Sequence, residues 1–182
     1  MANLRTRRES GFTLIEVLVA LIIIAVGMLG IAKIQALAYA STGTASLRSL
    51  AAIEASSLAS AMRVNRGYWT VAPQPLTITI AGATFNASDG TLNAANNCVA
   101  GVGVTPCTPS ALASADLQTW VTALNKALPN VTGTISCPTP NPVGTPLGCT
   151  VQISWSERNT AINTQSLATT MAPPTYTLYV EP

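Results

Sequence analysis

Cysteine is the residue type in this sequence whose number and spacing most suggest built chemistry. Cys98, Cys107, Cys137 and Cys149 fall as two pairs, nine and twelve residues apart. Clustered cysteines serve disulfide bonding, zinc binding or thiolate catalysis. The 182 residues include no His. A cysteine nucleophile therefore has no imidazole to activate it, and every His-containing metal site is excluded. Structural zinc favours closer Cys-x-x-Cys pairs. Disulfides remain, and four cysteines allow three connectivities. Cys98–Cys107 and Cys137–Cys149 are preferred because each encloses a short loop rich in Gly and Pro. On the chain-entropy estimate each bridge contributes about 2.5–3 kcal/mol. The acids Asp89, Asp116, Glu157 and Glu181 are scattered, with no nucleophile elbow or phosphate loop beside them. No catalytic residue, metal or cofactor is expected. A net charge of +2 is too small and dispersed for a nucleic-acid groove.

Glu16 is the other informative residue. It is the single charge in the 21 residues from Phe12 to Ala32. As a helix that run rises about 32 Å, close to the thickness of a bilayer's hydrocarbon core. A carboxylate inside a membrane helix costs about 2.5–3.5 kcal/mol and usually has a partner and a task. No basic side chain lies within a helical turn of it. Either Glu16 reaches the headgroups from near the helix end, or a cation arrives from elsewhere. A chain cut just before Phe12 would supply one, a new α-amino group. The whole net charge lies ahead of the apolar run, in Arg5, Arg7, Arg8 and Glu9; the remaining charges cancel. Such a basic flank stays cytoplasmic and puts the cysteines outside the cytoplasm, where disulfides persist. The run is longer than a secretory signal core and leads into further helix-compatible sequence.

The elements that must hold these residues follow from composition and period. Charged residues are 9% of the chain, against roughly 25% in soluble domains, and mean hydropathy is +0.39. Those values suit a membrane-attached or exported protein. No Pro precedes Pro73, so one helix is expected over Phe12–Arg66. Residues 12–33 form its membrane part and 34–66 its amphipathic continuation. Leu47, Leu50, Ala51, Leu58, Ala61 and Met62 share one arc of the helical wheel and are expected to pack on a domain. Glu54 falls in the same arc, as a rim or paired charge. Arg48, Arg63 and Arg66 lie on the other, solvated side.

Composition changes at Gly67, and residues 67–182 read as a globular α+β head. Alternation predicts strands over Leu76–Ile80, Val131–Ser136, Thr150–Ser156 and Thr175–Val180. Thr108 as N-cap and Pro109 at the first position predict a helix that Pro129 ends. Trp120 and Trp155 are expected in the core, and Asn159–Pro174 in an exposed loop.

Residues 8–17, Arg-Glu-Ser-Gly-Phe-Thr-Leu-Ile-Glu-Val, resemble the class III signal of type IV prepilins and type II secretion pseudopilins. The resemblance implies that residues 1–11 are a cytoplasmic leader, that prepilin peptidase cuts between Gly11 and Phe12, and that Phe12 becomes N-methylated. It gives Glu16 the task of neutralising a neighbouring subunit's N-terminal amine during fibre assembly. It also implies the pilin architecture, a long helix packed on a small antiparallel sheet with one additional helix. Three stretches are similar to the PilV-type minor pilins: residues 16–30, residues 61–66 (Ala-Met-Arg-Val-Asn-Arg), and residues 106–129 with Pro-Cys-Thr-Pro and Ala-Asp-Leu-Gln-Thr-Trp. That likeness implies a low-copy structural subunit near a pilus tip. Its partners would be other minor pilins, the major pilin, a tip adhesin and the inner-membrane assembly machinery. The same N-terminal machinery serves a minor pseudopilin of a type II secretion system, the alternative reading.

Overall fold

The computed structural model describes residues 11–94, 98, 106–140, 146–157 and 172–182. Residues 1–10 of the expected 1–11 leader, and residues 159–171 of the expected Asn159–Pro174 loop, lie outside them. The chain divides into two units, Met1–Thr42 and Gly43–Pro182. One helix, α1 (Leu14–Val64), contributes to both.

In the first unit, residues 11–39 are all exposed. Leu, Ile and Val recur on every side of the helix instead of along one stripe. One 18-residue window of α1 has a mean hydropathy of 2.9, long and apolar enough to cross a membrane.

The second unit has a core built from one helical stripe, a second helix and one face of a sheet. Residues 43–64 of α1 bury Ala51, Ala55, Leu58, Ala59 and Met62, the three- and four-residue spacing of one helix face. Three of the five are alanines, which let the neighbouring layer approach closely. The helix expected to reach Arg66 stops at Val64. Asn65 leaves helical geometry (φ −100°, ψ 50°) and donates its side-chain Nδ2 to Pro109 O at 2.8 Å. A four-residue helix, α2 (Arg66–Trp69), then buries Tyr68 and Trp69.

Five strands follow in a fully antiparallel sheet: β1 (Leu76–Ala81), β2 (Thr84–Ala87), β3 (Thr132–Cys137), β4 (Cys149–Ser154) and β5 (Thr175–Val180). Their order across the sheet is β2-β1-β3-β4-β5. Four of these were expected; β2 was not. Its four residues are too few to alternate. It forms because Gly82, at φ 59°, takes the position of a two-residue turn that needs positive φ. Strand β4 ends before Trp155, which is buried just past it.

Helix α3 (Pro109–Ala127) lies between β2 and β3 in the chain. Thr108 caps it, its hydroxyl accepting from Ala111 N at 3.2 Å, and Pro109 occupies the first turn. Leu128 turns extended (ψ 132°) ahead of Pro129, which disfavours helix in the residue before it. Leu117, Trp120, Val121 and Leu124 are buried. The Trp120 indole donates to Glu54 O on α1 at 2.9 Å. Glu54 itself is half-buried at the rim.

Leu76, Ile78 and Ile80 of β1, Ile135 of β3, Val151 and Ile153 of β4 and Val180 of β5 complete the same core. The fold is thus α+β and pilin-like: a long N-terminal helix, an antiparallel sheet and one further helix.

Gly133 on β3 lies close against its neighbouring strands. A Cβ there would stand 2.7 Å from Gln152 O and 3.3 Å from Ile80 Cδ1. Gly133→Ala is therefore expected to destabilise the head by about 1–3 kcal/mol through overpacking. Thermal unfolding of the detergent-solubilised chain checks this; an unchanged midpoint would contradict it.

Candidate functional site

Gly11, Phe12 and Thr13 precede α1 and are exposed, Phe12 at 81%. The Gly11–Phe12 bond thus lies outside helix. The first turn is anchored by Thr13 O, which accepts from Glu16 N at 3.1 Å and Val17 N at 3.3 Å. Glu16 stands in that first turn, where the helix dipole favours an acid. Its carboxylate is exposed and has no ion-pair partner among the described residues.

The cysteines join as Cys98–Cys107 and Cys137–Cys149, the two pairings preferred from their loops. They occupy different settings. Cys137 and Cys149 are fully buried, 4.2 Å apart at Cα, where β3 ends and β4 begins. Cys107 is exposed immediately before the α3 cap, 5.9 Å from Cys98 at Cα.

The carboxylates of the second unit are separately engaged. Asp89 accepts from Tyr68 Oη at 2.6 Å, and from the backbone and hydroxyl of Thr91 at 3.0 and 2.9 Å. Burial pushes the Asp89 carboxyl up, but the Tyr68 and Thr91 hydrogen bonds outweigh it and hold it below the usual carboxylate range. Burial is the main reason the Tyr68 phenol is pushed well above its ordinary value, with the bond to Asp89 and its charge adding to it. Glu157 accepts from Trp155 Nε1 at 3.2 Å and takes one edge of the Arg48 guanidinium on its two oxygens, Nε at 3.3 Å and Nη2 at 3.4 Å. Arg48, expected on a solvated face, is thus paired, though still 66% exposed. Asp116 is raised by burial and borders a shallow groove of about 250 Å³ with Glu54. Arg63 and Arg66 line a recess of about 690 Å³ with Glu181. Among the described residues no three His, Cys, Asp or Glu side chains gather where a metal could be held.

Sequence reasoning missed the Tyr68–Asp89 and Arg48–Glu157 pairs, which are 21 and 109 residues apart in sequence. The Asp89-Gly-Thr91 turn was the one local signal for the first.

A family model described as the prokaryotic N-terminal methylation motif matches residues 6–32. No curated protein and no solved structure is matched. The motif supports the type IV prepilin family and a pilin-like protein, of a pilus or a pseudopilus. It points to a structural subunit rather than an enzyme. It implies processing by prepilin peptidase and assembly with other pilins, and with the apolar helix it fits an inner-membrane anchor.

The Tyr68–Asp89 bond gives a pH signature. Asp89 titrates lower in the folded chain than in the unfolded one. Its contribution is therefore full above the ordinary carboxylate pKa of about 3.9 and is lost as pH falls through the folded-state value. Tyr68 titrates higher when folded, so its share is full below about pH 10 and is lost as pH rises beyond. Tyr68→Phe should cost about 1–2 kcal/mol at neutral pH. It should also flatten the loss of thermal stability in acid. A parallel pH profile for variant and parent would refute the assignment.

Proposed function

We propose that this chain is a minor pilin of the PilV type, a low-abundance subunit that helps initiate a type IV pilus and stands at or near its tip. In this reading the precursor spans the inner membrane once, with residues 67–182 in the periplasm. Prepilin peptidase cuts between Gly11 and Phe12 and methylates the new Phe12 amine. The mature helix then packs into the fibre beside other minor pilins and the major pilin, with a tip adhesin and the inner-membrane assembly machinery as further partners. Twitching motility and adhesion follow from the finished pilus.

The observation that carries this reading is the methylation motif on an apolar helix whose Glu16 lacks an ion-pair partner among the described residues. A carboxylate in that setting is costly alone and is stabilised when a cation meets it in low dielectric. The Phe12 amine of a neighbouring subunit supplies that cation, and one such pair fixes the axial register of two otherwise featureless apolar helices. The likeness of residues 61–66 and 106–129 to minor pilins favours a pilus over a type II secretion pseudopilus.

Intact mass and N-terminal sequencing of the protein from piliated cells test the reading. The expected chain begins at N-methyl-Phe12 and is lost without the peptidase; a chain that keeps residues 1–11 overturns it. Glu16→Ala as the sole copy should insert normally yet reduce surface pili, and normal piliation would refute the pairing. A deletion strain that stops secreting exoproteins but keeps its pili would place the subunit in a secretion system instead.

A further inference from the structure

The two disulfides stand in opposite surroundings. Cys137 and Cys149 are 0% and 1% exposed, inside the core. Cys98 is half-buried and Cys107 is exposed. Thiol–disulfide exchange requires a thiolate to reach one sulfur of the bond, so access decides which bridge reacts. A reagent meets the inner bridge only when the core opens, whereas the outer one is accessible in the folded chain.

Position gives the outer bridge a direction of attack. Cys107 directly precedes Thr108, the cap of the 19-residue helix α3. A helix N-terminus stabilises negative charge and lowers the pKa of a thiol beside it. Cys98 lies in irregular backbone. Of the two thiolates the bridge can release, that of Cys107 is the better leaving group, and a better leaving group departs faster.

Other contacts hold both flanks of this bridge to the core. Ser114 Oγ lies 2.8 Å from Leu92 O and 2.7 Å from Ala94 O, and Gln118 Nε2 donates to Ala94 O at 3.0 Å. These bonds tie the segment ahead of Cys98 to α3. Asn65 Nδ2 holds Pro109 O at 2.8 Å, two residues after Cys107. Opening the bridge therefore leaves the layers of the head in place.

We propose that Cys98–Cys107 is a thiol–disulfide exchange site, opened by a dithiol reductant while the head stays folded and Cys137–Cys149 stays closed. A thiolate of the reductant attacks Cys98 Sγ. The S–S bond breaks, and its electron pair leaves on Cys107 Sγ, which takes up a proton. The reductant's second thiol then attacks its own sulfur in the mixed disulfide and releases Cys98, which is also protonated. Two cysteines are reduced and the dithiol becomes a disulfide. The open form presents two thiols on the head and lifts the covalent tie ahead of α3. The site is the same whether the fibre is a pilus or a pseudopilus.

The test is timed reduction of the full chain in detergent with dithiothreitol, followed by alkylation and mass spectrometry of the cysteine peptides. Cys98 and Cys107 are expected to be alkylated about a hundredfold faster than Cys137 and Cys149. When only the outer pair has reacted, the near-ultraviolet circular dichroism of the buried Trp69, Trp120 and Trp155 should match that of the oxidised chain. With glutathione in place of dithiothreitol and an acid quench, the first mixed disulfide should form on Cys98, about tenfold over Cys107. Equal rates at the two bridges overturn the proposal, as does loss of the tryptophan signal once the outer bridge opens. Glutathione found mainly on Cys107 overturns it too, and so does an isolated chain in which Cys98 and Cys107 are not joined.

Discussion

A helix that is apolar on every side has no stable place in water. Residues 14–32 of α1 put Leu, Ile, Val and Met around the whole circumference. A hydrocarbon interior or a bundle of similar helices satisfies that surface; an aqueous one does not. The basic residues ahead of the helix, the Gly11–Phe12 bond outside it and the single acid in the first turn all gain their meaning from this constraint. In so uniform a surface nothing apolar distinguishes one axial position from the next. A lone charge does, because misplacing it costs far more than sliding one leucine past another.

The second unit solves the opposite problem. A small head has little core to spend, so the lower stripe of α1, α3 and one sheet face are committed to a single cluster. Alanine at positions 51, 55 and 59 lets the layers close up. Three side chains whose polar ends point inward are answered at once: Trp120 by a carbonyl of α1, Ser114 by carbonyls of the segment after β2, Trp155 by Glu157. The outer sheet face carries none of this burden and is lined by uncharged Thr, Ser and Gln side chains. Edge strands commonly use Lys to discourage pairing, and the edge strand β5 has no charged residue.

Much of this was legible in the residues. Thr108-Pro109 and Leu128-Pro129 bracket α3 because caps and proline act locally. Alternation in Val151-Gln-Ile153 and Tyr176-Thr-Leu178 reveals half-buried strands for the same reason. The motif around Gly11 and Glu16 is contiguous and so could be read directly. Strand β2 was hidden because Thr-Phe-Asn-Ala is too short to show a period, and the end of α1 because an Asn65 bond to a residue 44 positions away decides it. The Arg48–Glu157 pair depends on tertiary placement, which no local pattern encodes. That Thr134, Gln152 and Thr177 stand side by side on one sheet face could be seen only once register was known, since a slip of one residue would send every threonine inward.

The buried Cys137–Cys149 bridge adjoins the rung Ser136↔Thr150, at the point where β3 leaves the sheet and β4 returns. Strand register on the sheet side is therefore independent of the connector between them. Insertions, deletions or a change of sequence within 138–146, short of Leu147 and its contact with the core, meet a covalent boundary before they reach the ladder. That makes the connector a replaceable cassette, free to diversify under selection while the framework stays constant. An engineer could graft an epitope there and expect the head to keep its fold.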